Sequence, residues 1–217
     1  MVTRFHDRKH AGEMLAAGLM PYRAAPDCAV IALPRGGVVV GAEIARALDL
    51  PLETLIVRKL GVPWQPELAM GAIAEGGFEV LDRELIRRLG ISPAEVAEVR
   101  EMEQRELERR QTAYRGGREF LDCPSTAILT DDGIATGSTM EVAIEALRER
   151  GAERIVLAVP VSAPDTLSRL RQRVEEVTCL LEPAPFIAIG SWYADFAPVS
   201  DSTVHRHLAA GHKIAAE

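Results

Sequence analysis

The amino-acid sequence predicts an α/β protein built on a parallel, doubly wound β-sheet. Apolar runs of about four to eight residues recur along the chain, and segments with the spacing of an amphipathic helix stand between them. Uninterrupted apolar runs are typical of strands that are buried on both faces. Strands that alternate with helices favour parallel pairing through right-handed crossovers.

Length and composition limit the possible classes of protein. The chain has 217 residues, of which 47% are hydrophobic and 26% are charged. These values support a complete core, in one α/β domain with an appendage or in two small domains. A net charge of −7 speaks against broad binding to nucleic acid or to an anionic membrane.

The cysteines and the N-terminal residues indicate the cellular compartment of the protein. The three cysteines are far apart and odd in number, so they imply neither a disulfide framework nor a metal site. We expect reduced thiols and a cytoplasmic protein. Residues 1–20 carry charges throughout, which predicts a short amphipathic helix rather than a signal peptide or a membrane span.

The first half of the chain predicts a strand, a helix, a second strand and a long charged helix. Their ranges are 28–37, 38–50, 52–61 and 91–117. Residues 61–80 are rich in Gly and Pro and predict a long loop or loose hairpin with residues 75–77 at its turn, which is typical of a lid. In the long helix, Ser92 with Glu95 predicts a capping-box start, and Gly116-Gly117 predicts the end. We expect a solvated helix; a dimer contact, or a tail that reaches the site through Arg115, is the alternative.

The second half repeats the alternation. A third strand, a helix and a fourth strand are predicted at 125–132, 137–151 and 152–163, and apolar segments follow at 174–184 and 186–196. Asp131 and Asp132 end the third strand. Ligands of open α/β sheets lie beyond the carboxyl ends of the strands, so the two acids are expected to bind either a divalent cation or a sugar diol.

The turn after the acids consists of small residues and hydroxyls. Residues 133–139 read Gly-Ile-Ala-Thr-Gly-Ser-Thr, and a helix is predicted to begin near Ser138. Free backbone N–H groups and the positive end of a helix dipole make a cradle for a phosphate monoester. A capped strand-to-helix turn is the plainer alternative. Acids for a diol beside a cradle for an anion together favour a phosphorylated ribose.

The string "AILTDDGIATGST" (127–139) resembles the phosphoribosyl pyrophosphate (PRPP) signature of type I phosphoribosyltransferases. The order of elements agrees over roughly residues 25–200, although Gly133 and Thr130 depart from the usual apolar residues. The resemblance implies that Asp131 and Asp132 hold the ribose hydroxyls, as catalytic residues. It also implies that the loop after them binds the 5-phosphate through Ala135, Thr136, Gly137, Ser138 and Thr139.

A second loop, "LPRGG" (33–37), ends the first strand. Gly36 and Gly37 permit close backbone approach, and Arg35 supplies a charge. The glycine spacing does not fit a dinucleotide fingerprint. The resemblance matches this loop to the pyrophosphate loop of the family, in which a cis peptide bond is expected, here around Arg35-Gly36.

The second strand and the lid supply further expected contacts. Arg58 and Lys59 are predicted to end that strand at the same sheet edge as the acids, where the resemblance implies contacts with PRPP phosphates in a catalytic role. In the lid, Glu67 and Glu75 are possible partners of metal or substrate. Trp64 and Pro66 could exclude water.

Aromatic residues concentrate near the C-terminus. The resemblance implies a small hood over an acceptor base, made from residues 1–24 and 183–217, with "SWYADF" as a hood strand. Trp192 and Tyr193 are the expected acceptor-binding residues, although both could simply pack the edge of the fold.

The resemblance therefore implies one domain, residues 1–217, with a core at about 25–182, a lid at about 61–80, a helical insertion at about 83–117 and the hood. It implies Mg²⁺-dependent transfer of a phosphoribosyl group from PRPP to a nitrogenous acceptor in nucleotide salvage. Asp131 and Asp132 are the possible metal contacts. A non-catalytic PRPP or nucleotide sensor and a nucleotide hydrolase are the alternatives, and a homodimer is possible.

Overall fold

In the computed structural model of the chain, five parallel strands form a central sheet and three antiparallel strands form a second sheet. The structure describes residues 4–115 and 123–214. The strands are β1 (Cys28–Ala32), β2 (Leu52–Thr54), β3 (Val57–Val62), β4 (Gln65–Ala74), β5 (Phe78–Leu81), β6 (Thr126–Thr130), β7 (Arg154–Val161) and β8 (Glu176–Leu181). The helices are α1 (Arg8–Gly18), α2 (Gly36–Leu48), α3 (Arg83–Leu89), α4 (Pro93–Arg115), α5 (Ser138–Glu149), α6 (Pro164–Leu170) and α7 (Asp201–Ile214), and 3₁₀ turns lie at Met20–Tyr22 and Ile189–Trp192.

The central sheet has the order β2-β1-β6-β7-β8 and is covered by helices on both faces. Side chains alternate between the faces of a strand. Val30 of β1 therefore packs in a core with α1, α2, α4 and α7, whereas its neighbour Ile31 packs in a core with α5 and α6. Both faces need apolar residues, which explains the uninterrupted apolar runs and confirms the predicted fold class.

The predicted second strand, residues 52–61, is wrong as a single element. It divides into β2 of the central sheet and β3 of the antiparallel sheet. At the break, the N–H of Leu55 still donates to the carbonyl of Ala32 at 3.3 Å, but the N–H of Ile56 donates to the Glu75 carboxylate at 3.0 Å. Leu55 and Ile56 are both buried, so the sequence stays apolar where the chain changes sheets.

The long loop predicted at 61–80 is also corrected, because most of it is strand. β3, β4 and β5 pair in sequence, and the expected hairpin turn lies at residues 75–77. Gly76 and Gly77 have φ of 91° and 85°, a left-handed conformation that glycine adopts without steric cost. The Gly-rich composition reflects this turn and the close packing of strands, and the role of the segment as a lid stays a prediction.

Helix α4 begins as predicted. The Ser92 N–H and hydroxyl both donate to the Glu95 carboxylate, at 2.8 and 2.7 Å. One turn apart, Arg110 pairs with Glu106 at 2.8 Å. The predicted stop at Gly116-Gly117 lies outside the described residues. Although α4 has 23 residues, it is strongly charged, and no helix in the described ranges combines the length and apolarity needed to cross a membrane.

The C-terminal end of α4 joins the two sheets through Arg115, which is 4% exposed. Its guanidinium donates to both oxygens of the Glu75 carboxylate at 2.6 Å and to Glu53 at 3.2 Å, and it also bonds the carbonyl of Thr54. Burial lowers the pKa of Arg115, but the two carboxylates raise it on balance. Arg115 and Glu75 are thus committed to the fold, which argues against the alternatives that gave them roles at a ligand.

We predict that Arg115→Ala lowers the free energy of unfolding by about 3–5 kcal/mol, because it leaves the buried carboxylates of Glu53 and Glu75 without their cation. Arg105→Ala, the same substitution on the exposed face of α4, should change it by less than about 0.5 kcal/mol. Urea denaturation measures both values. Equal, small losses would show that the buried charges do not hold the sheets together.

Candidate active site

The site begins where two neighbouring strands end. β1 pairs with β6 in parallel, with Ala32 opposite Thr130, and the N–H of Leu33 donates to the carbonyl of Thr130 at 2.9 Å. The loop after β1 (residues 33–37) and the loop after β6 (residues 131–139) therefore start side by side. Both lie at the carboxyl edge of the sheet, where α/β folds bind ligands.

The two loops touch through glycines. A Cβ atom on Gly36 would lie 1.8 Å from Oδ2 of Asp132, and one on Gly37 would lie 2.8 Å from Cα of Asp131. Both glycines are thus required by the acids themselves, whether or not a ligand approaches. The expected cis peptide bond is present, but between Pro34 and Arg35, one bond before the expected position.

The acidic pair is electrostatically strained. Asp132 is 9% exposed, and Asp131 is half-buried with Oδ1 accepting the N–H of Asp132 at 2.8 Å. Burial raises the pKa of both carboxyls. The neighbouring Asp132 raises the pKa of Asp131 further, whereas a hydrogen bond from Arg8 lowers the pKa of Asp132.

Arg8 was not anticipated from the sequence. It is the first residue of α1, a helix capped by Asp7, whose carboxylate accepts the N–H of His10 at 2.8 Å. The Nε of Arg8 donates to Oδ2 of Asp132 at 2.8 Å, and Nη1 donates to the carbonyl of Ala197 at 2.8 Å. A contact across 124 residues leaves no local pattern by which it could be found.

The loop after the acids exposes its N–H groups. Two of its carbonyls accept hydrogen bonds from α6. The carbonyl of Ala135 accepts from the Thr166 hydroxyl at 2.8 Å, and that of Thr136 accepts from the Arg169 guanidinium at 3.0 Å. Gly137, with φ of 84°, turns the chain into α5. Within residues 4–115 and 123–214, no group accepts a hydrogen bond from the N–H of residues 135–139, which include Ser138 and Thr139. Such a set of free donors suits an anion.

Gly133 and Thr130, the two departures from the family pattern, both lie in tight surroundings. A Cβ on Gly133 would lie 2.6 Å from Cγ2 of Ile189, so this glycine lets the C-terminal segment pack on the loop. Thr130 is fully buried, and nothing in the described part of the chain partners its hydroxyl.

The aromatic segment is arranged differently from the expectation. It forms a 3₁₀ turn and one bridge between Phe5 and Tyr193 rather than a hood strand. Tyr193 is 1% exposed, its ring packs 5.3 Å from Phe5 and 5.0 Å from Phe196, and its hydroxyl donates to the carbonyl of Asp132 at 2.6 Å. Tyr193 is therefore buried beneath the site, which contradicts its predicted contact with an acceptor. Trp192 keeps partial exposure.

Two of the expected cations, Arg58 and Lys59, are paired with other carboxylates. Arg58 and Lys59 lie in β3, because of the break between the sheets, and not at the edge of the central sheet. Arg58 pairs with Glu103 of α4 at 2.6 Å, and Lys59 pairs with the exposed Glu67 at 3.3 Å. Arg35 immediately precedes Gly36, which lies against Asp132, and its guanidinium is 3.8 Å from the Asp201 carboxylate.

The chain is similar to known proteins. A family model described as "Phosphoribosyl transferase domain" matches residues 3–191. Two Mycobacterium tuberculosis proteins, Rv0571c (strain ATCC 25618 / H37Rv) and MT0597 (strain CDC 1551 / Oshkosh), each named a "putative phosphoribosyl transferase", are 42% identical over 214 residues. The match covers 98% of this chain and 48% of each relative, so the chain spans about half their length.

A solved structure is similar over nearly the whole chain. The crystal structure of TT1426 from Thermus thermophilus superposes with a TM-score of 0.81 at 39% sequence identity. The alignment covers 95% of this chain and 98% of that protein. The two proteins therefore share the fold over nearly the whole of both chains.

The raised pKa of Asp131 predicts a pH-dependent effect of Asp131→Asn. A carboxyl whose pKa is raised by folding destabilises the fold when it is ionised, and this cost disappears as the pH falls through the raised value. The variant keeps the Oδ1 acceptor but carries no charge, so its melting temperature should exceed that of the wild type at pH 8. The difference should shrink towards pH 4. A lower melting temperature that does not change with pH would contradict this electrostatic account.

Proposed function

The chain belongs to the phosphoribosyltransferase family, and we propose that it is an enzyme that transfers the phosphoribosyl group of PRPP to a nitrogen acceptor and releases pyrophosphate. The main support is the contact between the loop after β1 and the loop after β6 at one edge of the sheet. There Gly36 packs against Asp132, and Gly37 packs against Asp131. That edge offers carboxylates, free N–H groups and an arginine to one ligand.

The ribose 5-phosphate half of PRPP fits the loop after β6. We assign its vicinal hydroxyls to Asp131 and Asp132, because carboxylates accept hydrogen bonds from such a pair. The 5-phosphate is assigned to residues 135–139. The carbonyls of Ala135 and Thr136 are already bonded to α6, and this support would orient the N–H groups of the loop before a ligand arrives.

The pyrophosphate half is assigned to Arg35, Gly36 and Gly37. Gly36 and Gly37 form the first turn of α2, whose N-terminal end favours negative charge. Arg58 and Lys59 are hydrogen-bonded to Glu103 and Glu67. The Arg35 guanidinium is 3.8 Å from Asp201, beyond hydrogen-bond distance, so we assign Arg35 to the pyrophosphate. These residues would act by positioning the substrate and stabilising charge on the leaving group.

Mg²⁺ is the metal that this chemistry implies, and the residues fit it. No group of three or more His, Cys, Asp or Glu side chains in the described part of the chain could hold a metal by itself. Mg²⁺ commonly binds through one or two carboxylates together with substrate phosphates, so a complete protein cage is not needed. Asp131 and Asp132 would contact the ion, which when bound would neutralise phosphate charge.

The acceptor is proposed to be a nitrogenous base in nucleotide salvage. The C-terminal segment packs over the loop through Ile189, and Trp192 is the partly exposed aromatic that could contact a base. Tyr193 is left out because of its burial.

One observation favours a second function, that of a PRPP sensor without catalysis. The expected cations Arg58, Lys59 and Arg35 all lie near carboxylates of the protein itself. A site with fewer free charges could bind PRPP and still stabilise the leaving group poorly.

The two functions separate in one experiment. The protein is incubated with PRPP, Mg²⁺ and a panel of bases; pyrophosphate is assayed, and the products are identified by mass spectrometry. Pyrophosphate and a nucleotide that appear together support the transferase. PRPP binding by calorimetry with no product supports the sensor, and ribose 5-phosphate released from nucleotides without any acceptor supports a hydrolase.

We predict that Asp131→Asn combined with Asp132→Asn lowers PRPP turnover by at least about a hundredfold, because the ribose is no longer held in its reactive position. Asp165→Asn, an exposed acid in the first turn of α6, is the matched control and should retain turnover. Circular dichroism checks that each variant is folded. A double variant that keeps wild-type affinity for PRPP would refute the assignment of the acids.

Ala135 predicts the base preference. The resemblance of residues 127–139 to the PRPP signature implies that family members acting on 6-oxopurines tend to carry Asp at this position, where it handles a ring-nitrogen proton. We therefore expect hypoxanthine and guanine to be poor acceptors in the same panel. Rapid turnover of either base would show that the identity of residue 135 does not set the preference.

A further inference from the structure

We propose that Arg8 is a positioning residue of the PRPP site, which holds the Asp132 carboxylate in place and thereby links the acidic pair to both ends of the chain. This inference rests on the proposed function. It adds a residue outside the signature sequence. Arg8 lies in α1, which the sequence analysis assigned to the hood and not to the PRPP site.

The guanidinium of Arg8 is fixed on three sides. Its Nε bonds Oδ2 of Asp132 at 2.8 Å, its Nη1 bonds the carbonyl of Ala197 at 2.8 Å, and its Cζ lies 3.8 Å from the centre of the Phe196 ring. The side chains of Arg8 and Asp132 are only 11% and 12% exposed. Arginine suits this place, because its planar group can stack on a ring and donate in two directions at once.

The bond from Arg8 restricts how the Asp132 carboxylate can turn. Arg8 occupies Oδ2, and its guanidinium is itself held by the carbonyl of Ala197 and by the Phe196 ring. A carboxylate that is already fixed through one oxygen loses less conformational freedom when its other oxygen accepts a hydrogen bond from a ligand. Oδ1 of Asp132 is therefore the oxygen that we assign to the ligand.

The same contact joins the N-terminal and C-terminal segments. Arg8 begins α1, Ala197 follows the aromatic segment, and the Tyr193 hydroxyl supports Asp132 from behind by donating to its carbonyl at 2.6 Å. Both segments therefore contribute to the contacts that hold Asp132. Arg4 makes a similar link, to the carbonyl of Tyr193 at 2.6 Å, without touching either acid.

Arg4 thus provides the matched control for the test. Affinity for PRPP in the presence of Mg²⁺ is measured by calorimetry, and kcat and KM are measured with an accepted base. We expect Arg8→Gln to weaken PRPP binding by about tenfold or more, and Arg8→Lys to recover part of the loss. Arg4→Gln should stay within about threefold of the wild type. Equal losses for Arg8→Gln and Arg4→Gln would reduce Arg8 to a structural link between segments and overturn the inference.

A double-mutant cycle with Asp132→Asn tests whether Arg8 acts through Asp132. Arg8→Gln with Asp132→Asn should bind PRPP within about threefold of Asp132→Asn alone, because the group that Arg8 positions is already changed. A further tenfold loss in the double variant would overturn the inference. The double variant leaves neither Arg8 nor Asp132 as a buried charge without its partner, so this arm remains usable if Arg8→Gln alone does not fold.

The experiments distinguish failure of the proposed function from failure of the role given to Arg8. A wild-type protein that neither binds nor turns over PRPP refutes the proposed function before any variant is compared. A wild type that binds PRPP, with Arg8→Gln unchanged, refutes the role of Arg8 alone.

Discussion

The parallel register of β1 and β6 is the constraint on which the rest of the structure depends. Ala32 lies opposite Thr130, so the loops that follow the two strands leave the sheet at the same height and must share one space. They can do so only because Gly36 and Gly37 have no side chains where Asp131 and Asp132 lie. A shift of one residue in this pairing would turn every side chain of the strand to the opposite face and separate glycines from acids.

The charges of the fold are distributed between two separate networks. Arg115 with Glu53 and Glu75 is buried between the two sheets and fixes the hairpin relative to β2. Arg8 with Asp132 lies at the ligand edge and ties the chain ends to the acidic pair. The first network joins α4, β2 and the turn between β4 and β5. In the second network, Asp132 lies beside the half-buried Asp131, and the pKa values of both carboxyls are raised. Such a cost in stability is typical of binding sites.

The features that were predicted correctly are those that depend on residues close together in the sequence. The strands, the helix start at Ser92, the turn at residues 75–77 and the position of the acids after β6 all depend on neighbouring residues, and the sequence carries those patterns. The change of sheet at Leu55–Ile56 was missed because both strands and their junction are buried and equally apolar. The burial of Tyr193 and the role of Arg8 depend on contacts between distant segments. Arg58 and Lys59 were expected at the edge of the central sheet because the junction between β2 and β3 was missed.

We propose that this edge of the sheet binds a ribose phosphate, and a crystal structure of the protein with PRPP and Mg²⁺ is the direct test. We expect the ribose hydroxyls on Asp131 and Asp132, the 5-phosphate on the N–H groups of residues 135–139, and the pyrophosphate beside Arg35 and Gly36. PRPP bound elsewhere, or crystals that show this edge without ligand at saturating PRPP, would contradict it.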